Sequence, residues 1–201
     1  MARVTAVVRS VEEMAKLGGR VARYAMSHAD FQKTVNGQPG FVVFLNGMPG
    51  AGKTVFARGF VRECMNDLHV DVPSPTFCLS HEYWCREAAV PVHHVDLYRL
   101  ESPSSEVLET IGIPTVFNDA MSLIEWPDRL KHSGILIPKN RLEVDIAVRD
   151  VGGSSMAAAD DLFDHKTFEA LEARERCVTV SADRDLPAPL MNLVSEFGAK
   201  S

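Results

Sequence analysis

"FVVFLNGMPGAGKTVFARGF", residues 41–60, places a short apolar run directly before a glycine-rich turn and an amphipathic segment. The run at 41–45 is continuously apolar, which is typical of a strand buried on both faces of a sheet. From about residue 53 to residue 65, apolar side chains recur at helical spacing. The stretch therefore predicts a buried strand, a tight turn and a helix in direct succession.

The turn at 47–54 satisfies G-x-x-x-x-G-K-[ST], the pattern of a phosphate-binding loop. Glycines allow backbone conformations that a Cβ would forbid, and successive N–H groups at a helix N-terminus wrap an anion. Lys53 can place a positive charge on the β and γ phosphates, and the Thr54 hydroxyl can bind Mg²⁺. A turn that binds nothing is the alternative, but the flanking strand and helix favour nucleotide binding. The predicted loop residues are Gly47, Met48, Pro49, Gly50, Ala51, Gly52, Lys53 and Thr54.

Beyond this loop, strand and helix patterns alternate along the chain. Further strands are predicted at 77–83, 90–95, 121–125, 141–148 and 177–181, and helices from about 10 to 25, at 104–111 and at 163–174. This order predicts a three-layer α/β fold, a P-loop NTPase fold whose sheet is largely parallel with antiparallel edge strands. The strict alternation at 141–148 is typical of an antiparallel or edge strand. We expect one domain over 1–185 and a loosely held tail at 186–201.

Composition limits the classes of partner. The chain of 201 residues is 46% hydrophobic and 24% charged, as in ordinary globular proteins, and its net charge of −6 disfavours direct nucleic-acid binding. No apolar run is long enough to span a bilayer, so we expect no membrane partner. The N-terminus lacks the apolar core of a secretory signal. Scattered cysteines indicate reduced thiols, and the neighbours His93 and His94 should face opposite sides of a strand, which disfavours a zinc site.

Two acids follow apolar strands and are candidates for catalysis. Asp96 ends "VPVHHVD" and Glu125 ends "MSLIE". Either could be a helix cap or a surface charge. A phosphate-binding loop, however, also needs a Mg²⁺ ligand and a group that orients the nucleophile, and open α/β sheets place these at strand C-termini. We therefore predict catalytic and metal-binding roles for both. Trp126, directly after Glu125, is predicted mainly as a core residue.

Hydroxyl side chains occupy a stiff loop at "VPSPTF", residues 72–77. Ser74 and Thr76 lie between and after two prolines. Such hydroxyls can sense a γ-phosphate, as in switch loops, or serve only the turn. The residues by themselves favour the turn.

Taken together, "GAGKT", "VPSPTF" with "HEY", "HHVDLYRLE" and "LIEWPDRL", in this order and spacing, resemble the TsaE (YjeE) family. "LGGRVA" at 17–22 is similar to the family's first helix. The resemblance covers about residues 10–183. It implies a cytoplasmic ATPase, with an organelle left open, that hydrolyses ATP slowly alone. It also implies transferase partners of the TsaD and TsaB type, tRNA contacted indirectly through that complex, and nucleotide turnover that resets the transferase.

The resemblance also implies roles for particular residues. Lys53 would contact the β and γ phosphates of ATP, while Thr54, Glu125 and Asp96 would hold Mg²⁺ or its water. Lys53, Asp96, Glu125 and Thr76 would thus form the catalytic set. Ser74 and Thr76 would belong to a γ-phosphate-sensing loop, which reverses the preference for a turn. Residues 10–14 and Arg174 would lie near the adenine.

Three stretches depart from the family pattern, and alternative functions stay open. Met48 and Pro49 stand where the family commonly has an acid and leucine, and inserts near 27–38 and 149–161 leave partner surfaces in question. The main alternative is a small-molecule kinase. Such a kinase usually carries an arginine-bearing lid over the phosphates, and the nearest candidate segment, "WPDRLKH", is shorter than such a lid. A GTPase is disfavoured because N-K-x-D is missing from the sequence, and a nucleotide-gated scaffold stays open.

Overall fold

The protein was analysed as a computed structural model, which describes residues 2–27, 40–139, 141–149, 174–182 and 188–195. The strands are β1 (Ala2–Val8), β2 (Phe41–Asn46), β3 (Ser80–Cys85), β4 (Val90–Asp96), β5 (Met121–Glu125), β6 (Arg141–Val148) and β7 (Arg176–Ala182). The helices are α1 (Val11–Ser27), α2 (Lys53–Met65), α3 (Ser105–Thr110), α4 (Ile113–Asn118) and α5 (Ala188–Ser195), and a 3₁₀ turn spans Pro127–Leu130.

The strands form one sheet in the order β1-β7-β6-β2-β5-β4-β3. The four central strands, β6, β2, β5 and β4, are parallel to one another. At one edge, β3 pairs antiparallel with β4. On the other side, β7 pairs antiparallel with β6, and β1 pairs antiparallel with β7. The predicted α/β fold, largely parallel with antiparallel edges, is confirmed.

The sheet is covered on both faces, which makes three layers. On β2, Val43 and Leu45 belong to a core shared with α1 and α2, whereas Val42 and Phe44 belong to a core shared with α3 and α4. The continuous apolar run of β2 is thus explained, because successive side chains enter opposite cores. The phosphate-binding loop consequently starts from the middle of the sheet.

Helix α1 is capped and packs closely on α2. Ser10 Oγ accepts from Glu13 N at 3.0 Å, and Glu13 Oε2 accepts from Arg9 N at 2.7 Å, so side chains satisfy two backbone N–H groups at the start of the helix. A Cβ on Gly18 would lie 2.1 Å from Phe56 O in α2. Gly18 therefore allows the two helix backbones to approach, and α2 is the helix that carries the end of the phosphate-binding loop.

One predicted strand boundary is wrong, and one of the two alternatives predicted for residues 141–148 is confirmed. Strand β3 begins at Ser80 rather than 77, because Cys78 N and Leu79 N both donate to Pro75 O in a turn that leaves Phe77 85% exposed. Strand β6 pairs antiparallel with β7, which confirms one of the two predicted alternatives, but it is not an edge strand because it also pairs in parallel with β2. Its alternation arises because one face joins the core under α1 and α2, while β6 contributes no residue to the core under α3 and α4.

Both ends of the described chain differ from expectation. Strand β1 was not predicted, although its backbone pairs with β7 along its whole length. The tail expected to be loosely held contains α5, whose Leu190 and Val194 are fully buried. The predicted helix at 163–174 lies outside the described residues except for Arg174, and most of the two inserts does so as well. Among the described residues, no helix is long and apolar enough to cross a membrane.

Candidate functional site

The loop between β2 and α2 adopts a conformation that depends on glycine. Gly47 has φ +149° and Gly52 has φ +111°, in the region that side chains other than glycine rarely adopt. A Cβ on Gly47 would also lie 2.7 Å from Ile146 O of β6. Helix α2 begins at Lys53, immediately after Gly52, so its N-terminus opens into the loop.

Lys53 is held inside this loop. Its side chain is 5% exposed, and its Nζ donates to Gly47 O at 2.7 Å and to Met48 O at 2.9 Å. The same Nζ lies 4.1 Å from the centre of the Trp126 ring, a cation–π distance. Burial lowers the pKa of Lys53, and the nearby charges of Glu125 and Asp96 oppose that shift. A buried cation is thus positioned at the loop where an anion would be bound.

The two predicted acids lie side by side. Asp96 and Glu125 are in register at the ends of the parallel strands β4 and β5, and both are 2% exposed. Glu125 Oε1 accepts from Thr54 Oγ1 at 2.8 Å and lies 2.8 Å from His94 Nε2. Thr54, Asp96 and Glu125 are thereby brought together at the C-terminal edge of the sheet.

The loop before β3 is tied to the same acids. Thr76 Oγ1 donates to Asp96 Oδ2 at 2.5 Å, and Ser74 Oγ lies 2.8 Å from Thr76 Oγ1 and 3.5 Å from Asp96 Oδ2. On the other oxygen, Asp96 Oδ1 accepts from Tyr98 N at 2.9 Å. The two hydroxyls therefore do more than form a turn, because they also contact the buried carboxylate of Asp96.

These side chains line a cavity of about 470 Å³. Of the adenine candidates, Ser10, Val11 and Met14 line it, but Arg176 does so in place of Arg174. Arg174 precedes β7, and its carbonyl accepts from Arg176 Nη1 at 2.6 Å. The lining residues are Ser10, Val11, Met14, Pro49, Gly50, Ala51, Gly52, Lys53, Thr54, Val55, Arg58, Ser74, Thr76, Asp96, Tyr98, Glu125, Trp126 and Arg176.

Sequence reasoning missed His94, Arg176 and the position of Trp126. Trp126 is half-buried and packs against the core, as predicted, but it also lines the cavity and contacts Lys53. Its φ of +59° turns the chain sharply after β5. His94 could have been found from strand periodicity, because residues two apart share a face and Asp96 is two residues on.

The oxygen atoms at this edge suit Mg²⁺. Among the described residues, no group of three or more His, Cys, Asp and Glu side chains could hold a metal unaided. Two carboxylates and one hydroxyl do converge there, and Mg²⁺ typically uses one or two carboxylates with phosphate oxygens and waters. The donor set therefore fits this ion together with a nucleotide.

A glycine-rich loop joins a central parallel strand to a helix, and acids end two neighbouring strands, which together define the P-loop NTPase fold class. Comparison with protein families narrows this class. The family described as "Threonylcarbamoyl adenosine biosynthesis protein TsaE" matches residues 8–154, and the chain belongs to that family. The resemblance seen in the sequence motifs is confirmed.

Individual relatives agree with this assignment. A "tRNA threonylcarbamoyladenosine biosynthesis protein TsaE" of Haemophilus influenzae is 37% identical over 129 residues, which cover 64% of this chain and 76% of the relative. Proteins of the same name from Rickettsia felis and Bacillus subtilis are 35% and 34% identical. Those matches cover 56% and 54% of this chain, and 61% and 63% of the relatives, less than two thirds of either.

Proposed function

We propose that this chain is the P-loop ATPase of the machinery that makes N6-threonylcarbamoyladenosine in tRNA. It binds Mg²⁺-ATP and hydrolyses it to support repeated turnovers of a threonylcarbamoyl transferase complex. The observation that carries the proposal is the convergence of Lys53, Thr54, Asp96 and Glu125 on one cavity at the end of a phosphate-binding loop. The names of the relatives supply the pathway.

In this proposal the loop and Lys53 bind the phosphates. The N–H groups at the start of α2 would bind phosphate oxygens, and Lys53 would exchange its contacts with two loop carbonyls for phosphate oxygens. Thr54, Glu125 and Asp96 would hold Mg²⁺. That ion, when bound, supplies positive charge that offsets the charge of the phosphates. Because Lys53 already lies at the loop, its side chain would move only a short distance to reach the phosphate oxygens.

Asp96 and the 72–77 loop respond to the γ-phosphate. Asp96 would orient a water molecule at the γ-phosphate or beside the metal, since its carboxylate can accept a hydrogen bond from it. Thr76 and Ser74 already contact Asp96. A phosphate oxygen beside these hydroxyls would redirect their hydrogen bonds, and the loop would thereby distinguish ATP from ADP.

The nucleoside would occupy the part of the cavity formed by Val11, Met14 and Arg176. Apolar side chains suit the flat faces of a base, and a guanidinium can stack on it or bind its polar edge. Arg176 replaces Arg174 in this role because it lines the cavity.

The partners follow from the family. We propose subunits of the TsaD and TsaB type, with tRNA contacted through them, since a net charge of −6 disfavours direct binding of a polyanion. The protein would then work where tRNA is modified, in the cytoplasm or in an organelle.

Mg²⁺-dependent ATP turnover tests the proposal, first with the chain alone and then with transferase subunits and tRNA. We expect slow turnover alone, stimulation in the complex, and several modified tRNAs per transferase. An ATP turnover rate that is unchanged by these partners but increased by a small hydroxylated metabolite would indicate a kinase. Nucleotide binding without turnover in either setting would indicate a nucleotide-gated scaffold.

Glu125→Ala isolates the chemistry in the same assay. We expect ATP binding to persist and turnover to fall by about 10²-fold or more, because Glu125 would hold the Mg²⁺ whose charge stabilises the transition state. Asp128→Asn is a matched control, since Asp128 is a nearby acid that is exposed and pairs with Lys131. Turnover that persists in Glu125→Ala would show that the role assigned to Glu125 is wrong.

A further inference from the structure

His94 is a completely buried polar side chain next to the proposed metal site. It lies on β4, is 0% exposed, and its Nε2 is 2.8 Å from Glu125 Oε1. Its other ring nitrogen, Nδ1, is buried and has no hydrogen-bond partner within the described part of the chain. A buried polar atom without a partner is costly, so packing by itself would favour an apolar residue here.

The contact with Glu125 defines which nitrogen carries hydrogen. A carboxylate only accepts hydrogen bonds, so Nε2 must be the donor. A hydrogen on Nδ1 would in addition be left without an acceptor among the described residues. The ring is therefore held as the tautomer with hydrogen on Nε2, aimed at one oxygen of Glu125.

Two donors from different elements meet at that oxygen. Thr54 Oγ1, from α2, and His94 Nε2, from β4, each lie 2.8 Å from Glu125 Oε1. With Oε1 held from both sides, the rotation of the carboxylate is fixed and Oε2 is the oxygen left for a cation. Thr54 is itself a proposed Mg²⁺ ligand, whereas His94 contacts the site only through Glu125.

We propose that His94 is a positioning residue that orients Glu125 for Mg²⁺ through the Nε2–Oε1 hydrogen bond. This inference rests on the proposed function, because it takes Glu125 as a ligand of Mg²⁺-ATP. Partners that orient a metal ligand in this way typically change metal affinity or activity by about 10–100-fold when they are removed.

The test compares three variants by titrating a non-hydrolysable ATP analogue at a series of Mg²⁺ concentrations. His94→Leu removes the donor but keeps an apolar volume. His94→Gln retains an N–H group that can reach the place of Nε2. His93→Leu is the matched control, since His93 is the neighbouring residue, faces the other side of β4 and lies 3.9 Å from Glu82.

We expect His94→Leu to weaken the apparent Mg²⁺ affinity of the nucleotide complex by about 10–100-fold. Binding of the analogue without Mg²⁺ should be unchanged, which separates positioning from general damage to the fold. His94→Gln should recover most of the Mg²⁺ affinity, and His93→Leu should behave as the unsubstituted protein.

Several outcomes would overturn the inference. A folded His94→Leu protein with unchanged Mg²⁺ affinity, or an equal loss in His93→Leu, removes the role of His94 and leaves the proposed function standing. An unsubstituted protein that shows no Mg²⁺-dependent nucleotide binding defeats both.

A second measurement needs no variant and covers the case in which His94→Leu does not fold. The ¹⁵N spectrum of the histidine rings should show His94 with hydrogen on Nε2. A ring with hydrogen on Nδ1 and none on Nε2 would contradict the proposed hydrogen bond.

Discussion

At the scale of single residues, Thr76 and Ser74 approach the same acid with unequal geometry. Thr76 Oγ1 is 2.5 Å from Asp96 Oδ2, whereas Ser74 Oγ is 3.5 Å away, at the limit of a hydrogen bond. A hydrogen bond to a charged group contributes more than one between neutral groups. The loop should therefore depend on Thr76 more than on Ser74.

Thr76→Val removes this hydroxyl and keeps the shape of the side chain. We expect it to lower the free energy of unfolding by about 1–2 kcal/mol, because buried Asp96 loses a donor. Ser74→Ala is the control, with an expected change within about 0.5 kcal/mol. Urea denaturation measures both values. Equal losses would mean that the two hydroxyls share the contact with Asp96 evenly.

The sequence predicted those parts of the site that depend on strand ends and on the loop motif. Asp96 and Glu125 could be placed because parallel strands bring their C-terminal ends to one edge of the sheet. The contact between Lys53 and Trp126 could not be predicted, since it depends on the positive φ of Trp126. Arg176 was missed because the cavity wall depends on where β7 begins, and strand boundaries are poorly defined by sequence patterns.

At the scale of elements, the packing of α1 against α2 explains one residue of the glycine pair Gly18-Gly19. Glycine lowers intrinsic helix stability, and the sequence shows only that cost. A Cβ on Gly18 would collide with backbone atoms of α2, while one on Gly19 would lie 3.2 Å from Glu63 Oε2, the end of a side chain that can move. The two glycines of α1 therefore differ, and of this pair Gly18 is the one that close packing against α2 requires.

Gly18→Ala should destabilise the protein by about 1–3 kcal/mol or more, because the Phe56 carbonyl cannot move without shifting α2. Nucleotide binding should weaken with it, since α2 carries Lys53 and Thr54. Gly19→Ala is the control, and the helix preference of alanine should make it neutral or stabilising by up to about 1 kcal/mol. Thermal unfolding and nucleotide titration check both variants. Similar losses in the two proteins would refute the distinction.

At the scale of the whole molecule, the sheet was predicted in class but not in extent. The middle strand, β2, is recognisable from its continuous apolar run. Strand β1 is paired with β7, from Ala2 with Ala182 to Val8 with Arg176, and its short run of alternating side chains does not identify so distant a partner. Helix α5 was not predicted for a related reason. Its apolar segment is short, and it is buried by contacts with β1 and α1, which lie far away in the sequence.

Helix α5 should therefore be a structural part of the domain. Leu190 and Val194, four residues apart, occupy one face of the helix and are fully buried in the core that contains α1. Leu190→Ala should lower the free energy of unfolding by about 2–5 kcal/mol, because it leaves a cavity that the surroundings fill only in part. Chemical denaturation measures this loss.

Met191→Ala is the matched control, since Met191 is the next residue and is 38% exposed; its effect should stay near 0.5 kcal/mol, as is usual for surface positions. Hydrogen exchange locates the effect. If α5 holds the edge of the sheet, Leu190→Ala should speed exchange in β1 before the parallel strands, because β1 contacts both α5 and β7. Unchanged stability in Leu190→Ala, with protection of β1 intact, would mean that the sheet edge is stable without the helix and that the tail is loosely held, as the sequence predicted.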